Sequence, residues 1–152
     1  MIACGDKSAI IFKMDPDNPI VRLCVQGIEF EGSGRYDDAR QAYLQAWDQS
    51  TDDFERTIAA HYVARHQKNA SDTLLWNQRS LAHANAVDED RVRGFYPSLY
   101  LNTGMAHEDL GSCEAARQFY EMAARATDRL PEGAYGCVVR DAIERALRRV
   151  LI

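Results

Sequence analysis

Residues 20–46, IVRLCVQGIEFEGSGRYDDARQAYLQA, decide how this chain folds, because residues 97–123, PSLYLNTGMAHEDLGSCEAARQFYEMA, repeat their plan 77 residues later. Leu23, Gly27, Phe30, Gly34, Ala39, Arg40, Gln41, Tyr43 and Ala46 recur as Tyr100, Gly104, His107, Gly111, Ala116, Arg117, Gln118, Tyr120 and Ala123, and seven of these nine pairs are identical. The shared residues are those that let two helices nest. Gly27 and Gly104 leave space where a neighbouring helix touches, and each Tyr is a knob beside the small holes made by its flanking alanines. Gly34 and Gly111 allow a tight turn between the two helices.

Outward from these stretches, helical periodicity continues and strand alternation is nearly absent. Asn18-Pro19 supplies a cap and a first-turn proline for a helix to about Glu31. Asp37 or Asp38 begins the next, to about Gln49. Asp52 and Asp53 cap a third over Phe54 to Gln67, with Phe54, Ile58 and Tyr62 on one face. Ser71-Asp72 caps a fourth to about Val87, whose facing stripe is Leu74, Leu81 and Ala84 with Trp76 at its edge. Tyr96-Pro97 opens a fifth that Gly111 ends, and Ser112 caps a sixth to about Arg129. A last helix covers roughly 134–150, with Val139, Ala142, Ile143, Ala146, Leu147 and Val150 opposite Arg140, Asp141, Glu144, Arg145, Arg148 and Arg149. The expected class is all-α.

The two copies resemble the tetratricopeptide repeat family, in its small bacterial form. That family repeats a 34-residue helix–turn–helix with the pattern W-x2-L-G-x2-Y, then A-x3-F, then a later Pro. Leu23, Gln26, Gly27, Phe30, Ala39, Tyr43 and Ala46 occupy these slots in the first copy. Tyr100, Thr103, Gly104, His107, Ala116, Tyr120 and Ala123 occupy them in the last. The Trp slot holds no Trp, polar residues replace the slot's Leu, and Thr51 and Asp128 stand where Pro is usual. The resemblance implies a helical-hairpin superhelix over residues 18–152, with repeats at about 20–53, 54–93 (degenerate, with long loops near 68–70 and 88–96) and 97–130. Residues 134–150 would be the capping helix that shields the end of the stack. Residues 1–17 form an N-terminal extension, and Ile10, Ile11, Phe12 and Met14 need apolar cover, so the segment is expected to dock on the open first hairpin or on a neighbouring chain.

Composition sets the outer limits. The chain has 152 residues, 46% hydrophobic and 27% charged, which suits one domain with a real core. No apolar run approaches a membrane span, and Met1-Ile2-Ala3-Cys4-Gly5 lacks a secretion leader, so a cytoplasmic protein without membrane contact is expected. The four cysteines, Cys4, Cys24, Cys113 and Cys137, contain no Cys-x-x-Cys pair and read as free thiols. Net charge is −5, and 11 of the acids lie in residues 1–55 against five bases, which argues against nucleic acid.

The resemblance also implies a function and a site. The first helix of each pair would line a concave face that binds protein or peptide without catalysis, cofactor or metal. Its register places there Val21, Cys24, Val25, Ile28 and Glu31, then Thr57, His61 and Arg65, then Ser98, Leu101, Asn102, Met105 and Glu108. The Lys/Asn clamp with which some members hold a C-terminal carboxylate is incomplete, because Cys24 and Ile28 stand in its slots. Three other readings compete. His61, Arg65, Asn102 and Glu108 could form a polar site for a small molecule or an enzyme. A second copy of the chain could bind the hairpin ends, giving a homodimer. Cys24 with His61 could act as nucleophile and base, although no third orienting group follows. His61 and His66 stand five apart, on different helical faces, which disfavours a metal site. Gly32-Ser33-Gly34 lacks the Lys-Ser/Thr of a phosphate loop and reads as a turn.

Overall fold

A computed structural model describes residues 10–151, apart from the side chain of Phe12; the expectations for residues 1–9, Cys4 among them, lie outside it. The regular structure of the described residues is all helix, with no strand. Seven long helices carry the fold: α1 (Pro19–Gly32), α2 (Tyr36–Gln49), α3 (Asp53–Val63), α4 (Ala70–Ala84), α6 (Tyr96–Asp109), α7 (Cys113–Arg125) and α8 (Ala134–Val150). One turn of helix, α5 (Glu89–Val92), and a 3-10 turn over Arg93–Phe95 fill the segment expected to be a long loop. Val92 and Phe95 explain that order: both are buried, so the segment has an apolar anchor.

Consecutive helices pack in pairs, α1 on α2, α3 on α4 and α6 on α7, and α2, α4 and α7 each pack on the next pair or on α8. The Gly–Tyr code works as its spacing predicts. A Cβ on Gly27 would overlap the Tyr43 ring, and one on Gly104 would stand 2.6 Å from Tyr120. Both tyrosines are fully buried among Ala39, Ala46, Ala116 and Ala123. Gly34 and Gly111 take φ of +73° and +76°, the left-handed conformation that ends a helix. Their N–H groups donate to Glu31 and Glu108, and the residues after them, Arg35 and Ser112, donate to the carbonyls of Phe30 and His107. The turns are therefore alike bond for bond.

Several boundaries differ from expectation for local reasons. Asn18 does cap α1, accepting from Ile20 and Val21 at 2.8 and 3.1 Å. Asn69, not Ser71-Asp72, caps α4 by accepting from Asp72 N at 2.8 Å. Asp37 and Asp38 lie inside the first turn of α2, where Asp38 pairs with Arg35 at 2.7 Å. Ser112 precedes α7 without a side-chain cap bond. The inward stripe of α4 is Asn77, Ser80 and Ala84, while Leu74 and Leu81 are half-buried. Ser80 earns that place by donating to the Thr57 carbonyl at 2.8 Å, a polar clasp between α3 and α4.

The buried apolar residues form two clusters, one over α1–α4 with Phe95 and Leu99, the other over α6–α8. A 3-10 turn at Ile10–Lys13 joins them. Ile11 is fully buried in the first cluster, and Ile10 packs against both. Ile10, Ile11 and Met14 of the extension thus pack on the α1–α4 core, as apolar residues require.

Candidate functional site

The thirteen residues placed on one face by register divide sharply. Val21, Cys24, Ile28, Glu31, Thr57, Ser98 and Leu101 are buried. Ile11 shares a core cluster with Val21, Cys24 and Ile28, so the extension covers part of that face. Met14 joins Val21 and Val25 along a groove of about 240 Å³ beside α1. Ser98 Oγ meets the Tyr135 hydroxyl of α8 at 2.5 Å, which takes it out of reach.

Four of the thirteen do come together at an opening. His61 of α3 and Arg65 of the 3-10 turn that follows it (Ala64–His66), with Asn102 and Met105 of α6, line a cavity of about 110 Å³ completed by Ala64, Thr73, Asn77, Ala106 and Asp109. Asn77 of α4 donates from Nδ2 to the Thr73 carbonyl of its own helix at 3.0 Å and to the Asn102 carbonyl of α6 at 3.5 Å, which ties α4 to α6 beside the cavity. Two carbonyl partners fix the amide's orientation. Its Oδ1 is then buried with no hydrogen-bond partner among the described residues, and so is His61 Nδ1. Thr73 and Asn77 escape a reading by first-helix register because they lie on the second helix of the middle pair, and no signal in the sequence singles them out.

Electrostatics set what the cavity can hold. Burial, aided by the Arg65 charge, pushes the His61 imidazole down to about 3, so it is neutral near pH 7. Arg65 is committed elsewhere: its Nη2 lies 3.1 Å from Glu31 Oε2, and that carboxylate is fully buried with the His66 ring nitrogen 2.6 Å from Oε1. Burial also drives the Cys24 thiol far above its usual range. A nucleophilic Cys24–His61 couple needs a thiolate beside an imidazolium, and both shifts run the other way.

Glu108 does not line the cavity. It accepts from Tyr120 and, at 3.0 Å each, from Arg149 Nε and Nη2 of α8. Glu31 is its counterpart 77 residues earlier, set beside Tyr43 and paired with a cation of the next pair, Arg65. Both carboxylates therefore fasten successive layers. Their equal spacing was present in the sequence, but it falls outside the packing positions of the motif.

His83, His107, Arg145 and Arg148 have structural partners. His83 Nδ1 lies 2.7 Å from Asp53, and the His107 ring stacks on Phe119 with centroids 5.4 Å apart. Arg145 pairs with Asp141 and Arg148 with Glu144 along the exposed side of α8. Among the described residues no group of His, Cys, Asp or Glu could hold a metal ion, and no helix is long and apolar enough to cross a membrane. The chain matches no protein-family model, no curated protein sequence and no solved structure.

Proposed function

We propose that the chain is a non-catalytic protein-binding module, a tetratricopeptide-like stack of three hairpins and a capping helix that engages a partner through the cavity between α3, α4 and α6. The observation that carries this reading is the convergence of His61, Arg65, Asn102 and Met105 on that cavity. Size favours a protein partner over a free ligand. About 110 Å³ admits one side chain or a chain end, whereas small-molecule sites usually run to roughly 300–1,000 Å³. The exposed thiols of Cys113 and Cys137 suit a reducing, cytoplasmic setting.

Peptide display against the immobilised chain tests the proposal, with selected peptides measured by calorimetry on wild type and on Asn102→Ala. Arg65 is unsuitable for the comparison because its loss would strand Glu31. Selected peptides should bind Asn102→Ala about tenfold more weakly. Failure to select any peptide, or equal affinity for both proteins, would overturn the reading.

A further inference from the structure

A second surface, sharing no lining residue with the cavity between α3, α4 and α6, lies where the extension runs beside α1. Ile11, Met14 and Pro16 of the extension and Val21 and Val25 of α1 give the groove of about 240 Å³ its apolar lining. Its base is firm, because Ile11 and Val21 are buried members of the α1–α4 cluster and Met14 and Val25 pack against that cluster. Met14 and Val25 nevertheless keep part of their surface in solvent, and Pro16 is exposed. A partner that covers these three buries apolar surface on a backing already in place.

Charge narrows the class of partner. The charged residues of the lining, Arg22 and Glu29, stand seven residues apart on α1 with Gln26 between them. They therefore mark the ends of one helical stripe about 10 Å long. Arg22 is engaged: its Nε donates to the Pro16 carbonyl and its Nη2 to Asp17, both at 3.0 Å. Glu29 is exposed, and its carboxylate has no hydrogen bond or ion pair among the described residues. Asp15 and Asp17 are exposed too, and Lys13 is the one other cation between Ile10 and Gly32. With 11 acids against five bases in residues 1–55, this end of the molecule repels anionic partners and draws cationic ones.

We propose that the groove docks a cationic amphipathic segment of a partner protein, with an apolar side chain against Met14, Val21 and Val25 and a Lys or Arg paired with Glu29. An exposed ion pair adds little affinity and apolar burial adds more, so the apolar contacts hold the segment and Glu29 selects its charge. The inference goes beyond the role assigned to the cavity and does not depend on it.

The test is an NMR titration of the isotopically labelled full chain with acetyl-Gly-Leu-Lys-Leu-Leu-Lys-Gly amide, with the same peptide carrying Glu for Lys, and with the same peptide carrying Ser for Leu. The first should shift the backbone amides of Met14, Arg22, Val25 and Glu29 saturably. The other two should bind at least about threefold more weakly. Glu29→Lys alters an exposed side chain and leaves the core intact, and it should reverse the preference between the Lys and Glu peptides. Equal binding of those two peptides, or a preference unchanged in Glu29→Lys, would overturn the charge selection. Shifts confined to other residues, or no saturable shift, would overturn the docking surface itself. Sedimentation completes the test: a dimer that Glu29→Lys disrupts would place a second copy in the groove and refute the proposal.

Discussion

Arg149 reaches from the last turn of α8 to Glu108 at the end of α6, closing two hydrogen bonds of 3.0 Å on a carboxylate that also accepts from Tyr120. The Arg149 bonds, with that of Tyr120, outweigh burial and hold Glu108 below the usual carboxylate range. A depressed carboxyl stabilises the fold above its unfolded pKa, and the contribution is lost as pH falls through the folded value. Arg149→Ala should therefore cost about 1 kcal/mol near pH 7, a modest figure because Arg149 is half exposed. That difference should shrink on acidification below pH ~4, as urea melts at several pH values would report.

The equivalent fastener at Glu31 is a harsher case. Its side chain is fully buried, so removing Arg65 leaves a carboxylate without its cation in a low-dielectric interior. Arg65→Ala should cost about 3–5 kcal/mol, several times the loss from Arg149→Ala. Chemical denaturation of the two variants side by side gives the ratio.

Gly27→Ala and Gly104→Ala should each destabilise by about 1–3 kcal/mol, since the added methyl meets a tyrosine ring that is packed on all sides. Gly34→Ala meets no atom within 4 Å, and its cost comes from φ alone, about 1–2 kcal/mol. Combining Tyr43→Leu with Gly27→Ala should recover part of the first loss and none of the second, which a double-mutant cycle detects.

His61 gives the fold an acid-sensitive side. Its folded pKa lies near 3, below the ordinary value of 6.5, so the unfolded chain binds a proton that the folded chain refuses. Stability should fall as pH drops from about 6.5 toward 3, by on the order of 2 kcal/mol at pH 5. The charged groups facing it are Arg65, in the 3-10 turn after its helix, and Asp109 across the cavity. His61→Phe should flatten this part of the wild-type profile, and an unchanged slope would remove His61 as the cause.

Ile11→Ala should cost about 2–4 kcal/mol, because the side chain is fully buried in the cluster of α1–α4. Thermal unfolding measures it directly, and a cost near zero would show that the extension contributes nothing to the core.

The helices and the packing of the outer pairs were legible in the sequence because both rest on local chemistry: Asn18-Pro19, the Gly–Tyr contacts and the left-handed glycines act within one pair. The middle pair was harder to read. Its inward stripe is Asn77, Ser80 and Ala84, where hydropathy pointed to Leu74 and Leu81, since Ser80 and Asn77 are buried by hydrogen bonds to carbonyls on other helices that no periodicity encodes. The same blindness hid Thr73 and Asn77 from the site. First-helix register likewise grouped Glu31 and Glu108 on one face, and register does not encode the cations 34 and 41 residues away that reach them.

Ile10 touches both apolar clusters, and this changes how the molecule should come apart. Arrays whose units contact only adjacent units can fray from either end. Here a short crosspiece ties the opening layer to the closing one. Amide protons in α1 and in α8 should consequently exchange with solvent at similar free energies in the intact chain, and diverge once Ile10 is replaced by Gly.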